Sequence, residues 1–392
     1  MAGEVIIVYA LRPCREGILV TTRPVKWYYD TVPVNEQPAY QTRALSQEAH
    51  MESDLLYTTL KNEIMQKIFT GTYKDGESIP SERILAQTYN MSRATVRKAL
   101  EILEGDGIIE RTLGKGTVVS LSNRSYKGCL DMIALVAPAQ RRFFAKFINN
   151  FQRVADKHNS MLVFIQQSEG ESIHDTLFRL LLNNIRNVVI WLDYETIEKE
   201  YIRRLRGLGM NIVFFDITVS SPYADCISLD NDDAISKLYN YALKTRGDRI
   251  VYISRENTNP SSLHEREQAY LSLSPLGLIW NFPWDYRDYL RNHTDKFIFE
   301  NFMPKYKPDT VICSDGELGI SLKAAMLQAG IQDVMLLSLD DFEESAELGI
   351  TVYRQPYDLY AEAIYNSFAE QNFNSAKWTA AMHRVKGELI IR

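Results

Sequence analysis

The stretch Ser81–Leu103, SERILAQTYNMSRATVRKALEIL, decides how the N-terminal part of this chain is read. Ser81 stands where a side-chain oxygen can cap a helix over Glu82–Tyr89, because the first amides of a helix have no partner within it. Asn90 and Met91 make a turn. Ser92 then stands to cap a further helix through about Glu104, whose Val96, Ala99, Leu100 and Leu103 fall on one face. From Arg83 to Lys98 the chain carries Arg83, Arg93, Arg97 and Lys98 and no Asp or Glu. Residues 51–121 together hold nine Lys and Arg against ten Asp and Glu, so positive charge is gathered on one part of a near-neutral unit.

Upstream, Leu56, Leu60, Ile64 and Ile68 recur every four positions and predict a helix ending at Gly71. Downstream, Gly105-Asp106-Gly107 ends the third helix. Ile108–Thr112 and Thr117–Ser120 then predict a hairpin joined by Leu113-Gly114-Lys115-Gly116. Three helices and a glycine-tipped hairpin outline a winged helix-turn-helix over residues 51–121. On the third helix Arg93, Ala94 and Arg97 share a face beside the buried stripe. Ser92, Arg93 and Thr95, near its start, can reach a groove. Arginine bonds guanine and phosphate bidentately, and the helix N-terminus adds a positive dipole end. Lys115 on the glycine tip can follow the backbone or enter the minor groove. The alternative for these cations is a solvated basic face.

The run Gly76-x3-Pro80-Ser81-Glu82-Arg83-x-Leu85-Ala86-x5-Ser92-Arg93-x-Thr95-Val96-Arg97-x-Ala99-Leu100, continuing through Leu103, Gly107, Ile109 and Gly114-Lys115-Gly116-Thr117-x-Val119, resembles the N-terminal domain of GntR-family transcription regulators nearly end to end. The resemblance implies that Arg83, Ser92, Arg93, Thr95 and Arg97 contact double-stranded operator DNA, with Gly114 and Lys115 at the wing tip. Ala94 sits where many relatives carry a hydroxyl, so one phosphate contact is expected to be missing.

The whole chain has 392 residues, 45% apolar and 24% charged, with net charge -6. That excludes a wholly disordered chain and predicts two or three domains. Overall charge does not advertise a nucleic-acid partner. The longest apolar runs, such as Asn187–Leu192 and Asn211–Phe215, fall far short of the ~20 residues of a membrane span. The start, MAGEVIIVYALRP, lacks a basic region and is broken by Glu4, which speaks against a secretory signal. Cys14, Cys129, Cys226 and Cys313 are scattered, as expected of reduced thiols in a cytoplasmic protein. The six histidines show no metal-ligand spacing, and neither a G-x-S-x-G elbow nor a P-loop occurs, so no metal, cofactor or catalytic residue is expected. Residues 1–50, with β-rich fragments and four prolines, read as an extension, loosely held or upstream of a natural start at Met51; a small N-terminal subdomain is the alternative.

Residues 122–130 read as a linker. From Asp131 onward apolar β runs alternate with helical patterns: Met132–Ala137, Met161–Gln166, Val188–Leu192, Ile212–Asp216, Ile250–Ser254, Thr310–Ser314 and Val334–Leu339. The alternation predicts an α/β domain over 131–392: parallel sheets flanked by helices, in two lobes. Ligands in such sheets bind beyond the carboxyl ends of strands. Asp216, Arg266 and Asp340 fall after β runs or in connecting segments, and such planar, two-way partners suit vicinal hydroxyls. Phe144, Trp191, Trp280 and Trp284 are candidate platforms for sugar C–H faces. For each aromatic the alternative is a place in the core, and for each Asp a helix cap.

Leu135-Val136-Ala137-Pro138 with Phe143-Phe144, Ile212–Asp216, Ile227–Asn231, Arg266 with Tyr270, Val311–Asp315, Leu339-Asp340-Asp341 and Tyr353–Pro356 together resemble the effector domain of LacI-family repressors and periplasmic sugar-binding proteins. The resemblance implies a sugar-binding role for Asp216, Arg266, Ser314, Asp315 and Asp340. Ser314 replaces a customary Asn, Ser338 and Leu339 replace Gly and an aromatic, and Asp233 stands where a glycine often lies. Head and sensor together resemble AraR-type regulators. The implied protein is a sugar-responsive repressor of carbohydrate-utilisation genes, a homodimer on a palindromic operator released by arabinose, fucose or a similar monosaccharide. A solute-binding protein, an activator with a non-sugar effector, and an enzyme fused to a DNA-binding head are the rivals. The last would need a Schiff-base lysine context that residues 131–392 do not supply.

Overall fold

The structure, a computed structural model, describes residues 56–112, 116–121, 130–137, 142–166, 172–192, 197–218, 221–255, 261–282 and 303–392. The expectations for residues 1–50, for most of the linker, and for Gly114, Lys115 and Trp284 lie outside the described residues.

Helix α1 runs from 56 to 69. Leu60, Ile64 and Ile68 are buried at four-residue spacing, whereas Leu56 is exposed, so the buried stripe begins one turn later than the sequence period suggests. Helices α2 (Glu82–Thr88) and α3 (Arg93–Gly105) follow. Ser92 caps α3, its Oγ accepting from the Thr95 amide at 3.1 Å. Ser81 holds the corresponding position of α2 but makes no side-chain cap bond, contrary to expectation. Strands β1 (Ile109–Thr112) and β2 (Gly116–Val119) pair antiparallel. Residues 76–79 run along the other edge of β2, where the Ile79 amide donates to Thr117 at 2.8 Å and the Val119 amide to Glu77 at 2.9 Å. A hairpin alone is marginal in water; this added segment and the helices beneath it supply what it lacks.

The first lobe is a parallel sheet of β3 (Met132–Ala137), β4 (Met161–Gln166), β5 (Asn187–Ile190), β6 (Asn211–Phe215), β7 (Asp225–Leu229) and β13 (Met382–Val385), in the order β13-β7-β6-β5-β3-β4. Its central strands are buried along their length, while the edges β4 and β13 carry exposed residues, the pattern of a sheet covered by helices on both faces. Helices α4 (Arg142–Lys157), α5 (Ile173–Leu182) and α6 (Lys199–Gly207) connect them. The second lobe contains β8 (Ile250–Arg255), β9 (Leu278–Phe282), β10 (Thr310–Cys313), β11 (Met335–Leu339), β12 (Thr351–Arg354) and β14 (Glu388–Ile390), in the order β14-β12-β11-β10-β8-β9. All its pairs are parallel except β12 with β14. Leu278–Phe282 forms edge strand β9.

The chain passes between lobes three times: from β7 into α7 (Asn231–Arg246), from β12 into the helix Tyr357–Phe373, which packs on α4 and β6, and from β13 into β14. Asp230 caps α7 by accepting from the Asp233 amide at 3.0 Å. Asp233 is at home where a glycine is customary: it lies in the first turn, favourable to the helix dipole, and accepts from the Tyr353 hydroxyl at 2.6 Å.

The head and the first lobe share one buried apolar cluster. Phe69 stacks on Phe178 of α5 at 5.0 Å and meets the edge of Tyr201 of α6 at 5.6 Å. Asp75 accepts from the Leu121 amide at 2.8 Å and pairs with Arg203 at 3.4 Å. Among the described residues no helix is long and apolar enough to cross a membrane.

Candidate functional site

Two surfaces carry the chemistry. The first is the N-terminal end of α3. Its buried Val96, Ala99, Leu100 and Leu103 hold the helix in the head, and the opposite side leaves Ser92, Arg93 and Arg97 exposed, with Thr95 half-buried. Thr95 is drawn to the cap, its hydroxyl 2.8 Å from that of Ser92. Arg97 lies 3.3 Å from Glu82, an exposed pair worth at most about 1 kcal/mol and easily exchanged for a phosphate. Arg83 on α2 is exposed on the same helix-turn-helix unit.

The second is a cleft between the lobes, partly open to solvent. The first lobe contributes Phe143, Trp191 and Asp216. Phe143 meets the edge of Trp191 at 5.2 Å, so the two rings form one aromatic wall. Phe143 starts α4 after β3 and Trp191 follows β5, neighbouring strands whose onward connections leave in opposite directions. This switch point is where an open α/β sheet leaves a crevice. The second lobe repeats the device: Arg255 ends β8 and Asp315 follows β10, its neighbour.

Five more polar side chains reach the cavity from the second lobe, Ser262 and Gln355 among them. Arg266 on α8 (Ser261–Leu273) is buried, donating from Nε to Asn231 at 2.8 Å and from Nη1 to the Ser314 carbonyl at 2.9 Å. Tyr270, one turn on, donates to the Ile250 carbonyl at 2.8 Å and stacks on Tyr252; burial pushes its hydroxyl up to about 12. Asp340, after β11, accepts from the Gly316 amide at 3.1 Å and the Gln355 amide at 2.5 Å. Burial raises its carboxyl above the ordinary range; Arg266 and those two donors pull it down, while Asp315 pushes it further up. Gly316 is obligatory here, since a Cβ would lie 2.6 Å from the Phe342 ring and 2.7 Å from Asp340. Glu317 completes the polar set.

Asp216 and Asp340 occupy matching places. Each directly follows a strand, in different lobes, and each has left-handed φ, +54° and +66°. Asp tolerates that conformation better than most residues, and it turns the carboxylate from the strand end toward the cleft.

The structure therefore brings together Trp191, Asp216, Arg266, Asp315 and Asp340 of the residues singled out from sequence. Ser314 is buried behind them, its carbonyl orienting Arg266 and its hydroxyl 3.2 Å from Asp315. Asp315 also caps the helix Gly316–Gln328 through the Leu318 amide and pairs with Arg255 at 3.1 Å. Phe144 is a correction: one helical step from Phe143, it turns into the core against Phe164 and Trp191. Trp280 is another, packed at a tilt against Phe282 in β9 and outside the cavity lining. Sequence reasoning missed Phe143, Arg255, Ser262, Glu317, Phe342 and Gln355. Arg255 and Gln355 were within reach of the strand-end rule, since each ends or follows a strand. Among the described residues no cluster could hold a metal ion.

Residues 56–119 match the family of bacterial regulatory proteins, gntR family. The probable fructoselysine utilization operon transcriptional repressor of Escherichia coli K12 is 45% identical over 65 residues, 17% of this chain and 27% of its own length. The chain thus spans about a quarter of the length of the first curated relatives it matches. The arabinose metabolism transcriptional repressor of Geobacillus stearothermophilus is 21% identical over 324 residues, covering 76% of this chain and 86% of that protein. A LacI family transcriptional regulator from Enterococcus faecalis V583, solved with bound ribose, aligns with TM-score 0.56 at 15% identity over 67% of this chain and 97% of its own. The head is of GntR type, and the two lobes have the fold of LacI-type regulators.

Proposed function

We propose that this chain is a cytoplasmic, sugar-responsive transcription regulator: a homodimeric repressor of carbohydrate-utilisation genes that a monosaccharide of the arabinose or fucose kind releases from a palindromic operator. The observation that carries this reading is the coexistence, in one chain, of an exposed arginine-bearing α3 on a GntR-type head and an interlobe cleft with an aromatic wall facing a wall of carboxylates and guanidinium groups. Aromatic faces suit sugar C–H surfaces, and Asp and Arg suit vicinal hydroxyls. Two α3 helices of a dimer enter successive major grooves, so their spacing decides whether both half-sites are gripped. Sugar changes that spacing only through differential affinity for the two lobe arrangements, a coupling of roughly 1–3 kcal/mol. Arg83, Ser92, Arg93, Thr95 and Arg97 are the DNA-contacting set in this reading, and Trp191, Asp216, Arg266, Asp315 and Asp340 line the effector site.

The test is a gel-shift with promoter DNA, with and without a panel of pentoses and deoxyhexoses. Binding should weaken steeply with salt as phosphate contacts release counterions. Arg93→Ala should cost about 1–3 kcal/mol of specific affinity. Operator affinity indifferent to every sugar, or to Arg93→Ala and salt together, overturns the reading.

A further inference from the structure

Glu265 precedes Arg266 on α8, and one residue turns a helix by about 100°, so the two side chains leave on adjacent faces. Arg266 goes to the cleft. Glu265 goes to the other lobe: one carboxylate oxygen accepts from the Thr218 hydroxyl, and the other accepts from the Asn231 amide at 2.8 Å and pairs with Arg384 at 3.2 Å. Thr218 follows β6 and Arg384 lies in β13, so both belong to the first lobe. Asn231 opens α7 at the point where the chain crosses between lobes, and it is fully buried. Its carbonyl is held by Arg266 and its amide by Glu265. A continuous polar line therefore runs from the cleft guanidinium, through a buried crossover residue, to two anchors on the opposite lobe. Ser262, on the same face of α8, adds a longer contact to Asp216 at 3.4 Å.

We propose that Glu265 is the positioning residue that couples the cleft to lobe closure: it latches α8 to the first lobe, and Asn231 links the latch to the orientation of Arg266. The identity of Arg266 as an effector contact rests on the function proposed above; the latch itself rests on these bonds alone. A carboxylate is required because three donors converge on it from three segments, which an amide cannot satisfy with one acceptor oxygen.

The experiment is small-angle scattering on the full chain without added sugar, comparing wild type with Glu265→Ala, Glu265→Gln and Arg384→Ala. The latch predicts a larger radius of gyration for Glu265→Ala, an intermediate value for Glu265→Gln, and opening in the same direction for Arg384→Ala, which removes the anchor from the other lobe. Arabinose titration followed by tryptophan fluorescence should show affinity roughly tenfold weaker in Glu265→Ala, with operator affinity in the absence of sugar retained. A radius unchanged in both Glu265→Ala and Arg384→Ala overturns the latch, whether or not arabinose is the effector. A wild-type protein whose DNA binding ignores every sugar overturns the function and leaves the scattering result to decide the latch separately.

Discussion

The two walls of the cleft are built differently. The first lobe presents two rings, Phe143 and Trp191, with one carboxylate, Asp216; the second presents Arg255, Arg266, Asp315, Glu317 and Asp340, with Phe342 as its aromatic member. A monosaccharide has apolar C–H faces and a rim of hydroxyls, so neither wall alone matches it. Only the two walls held together make a complete site. A ligand that touches both necessarily binds the closed arrangement better than the open one, and that difference is the whole of its power to shift the equilibrium. In the proposed function, dividing the apolar and polar halves between lobes makes binding and closure one event.

The polar wall should dominate, and Arg266→Ala tests it most severely. The guanidinium is buried and pinned by Asn231 and Ser314, with donors left over for a ligand. Its removal also strips Asp340 of its principal compensating charge. We expect a loss of about 2–5 kcal/mol in sugar affinity by calorimetry, with operator binding intact. Sugar affinity within twofold of wild type would show that the charged wall is scaffold rather than site.

Asp340 offers the next largest effect and a pH signature. Desolvation raises its folded pKa above the unfolded value of 3.8, so the native state takes up this proton first. Ionising Asp340 in place therefore costs stability as pH rises from 3.8 through the folded value, and below 3.8 that cost is absent. Sugar affinity should run the other way, falling as acidification protonates the carboxylate that accepts from the ligand. Asp340→Asn should lose about 1.5–3 kcal/mol of sugar affinity and flatten its acid limb. Calorimetry across pH on both proteins checks this; identical acid limbs would assign the titration to another group.

How far these walls are legible in sequence depends on periodicity. Strand ends are readable because a buried parallel strand is a short apolar run with a clear finish. Asp216 and Asp340, which line the cavity, are legible in that way, and the same rule reaches Arg255 and Gln355. Helix phase at a cleft is not readable to one residue: Phe143 and Phe144 differ by one step, and which ring enters the cavity depends on where α4 seats on β3. Trp280 illustrates a different limit, since a tryptophan in an edge strand and one on a sugar platform have the same local sequence signature. The head was legible almost throughout because its spacing is local. Ser81 shows that even there a suitable residue in the right place need not make its bond. Glu265 was the hardest to read, because its partners lie 47, 34 and 119 positions away and no local pattern joins them.

The smallest effect belongs to the aromatic wall, and it sharpens the comparison most finely. Phe143 is half-buried, with Trp191 and Tyr357 each at 5.2 Å. Phe143→Leu keeps an apolar side chain there and removes the ring, so it isolates the part of the contact that depends on a flat aromatic face. Such faces contribute about 0.5–1.5 kcal/mol beyond the area they bury. Sugar affinity should fall by that amount, with thermal stability close to wild type because Trp191 and Phe215 still fill the wall behind it. If Phe143→Leu costs as much as Arg266→Ala, the two walls carry equal weight, and closure is driven by stacking as much as by hydrogen bonding.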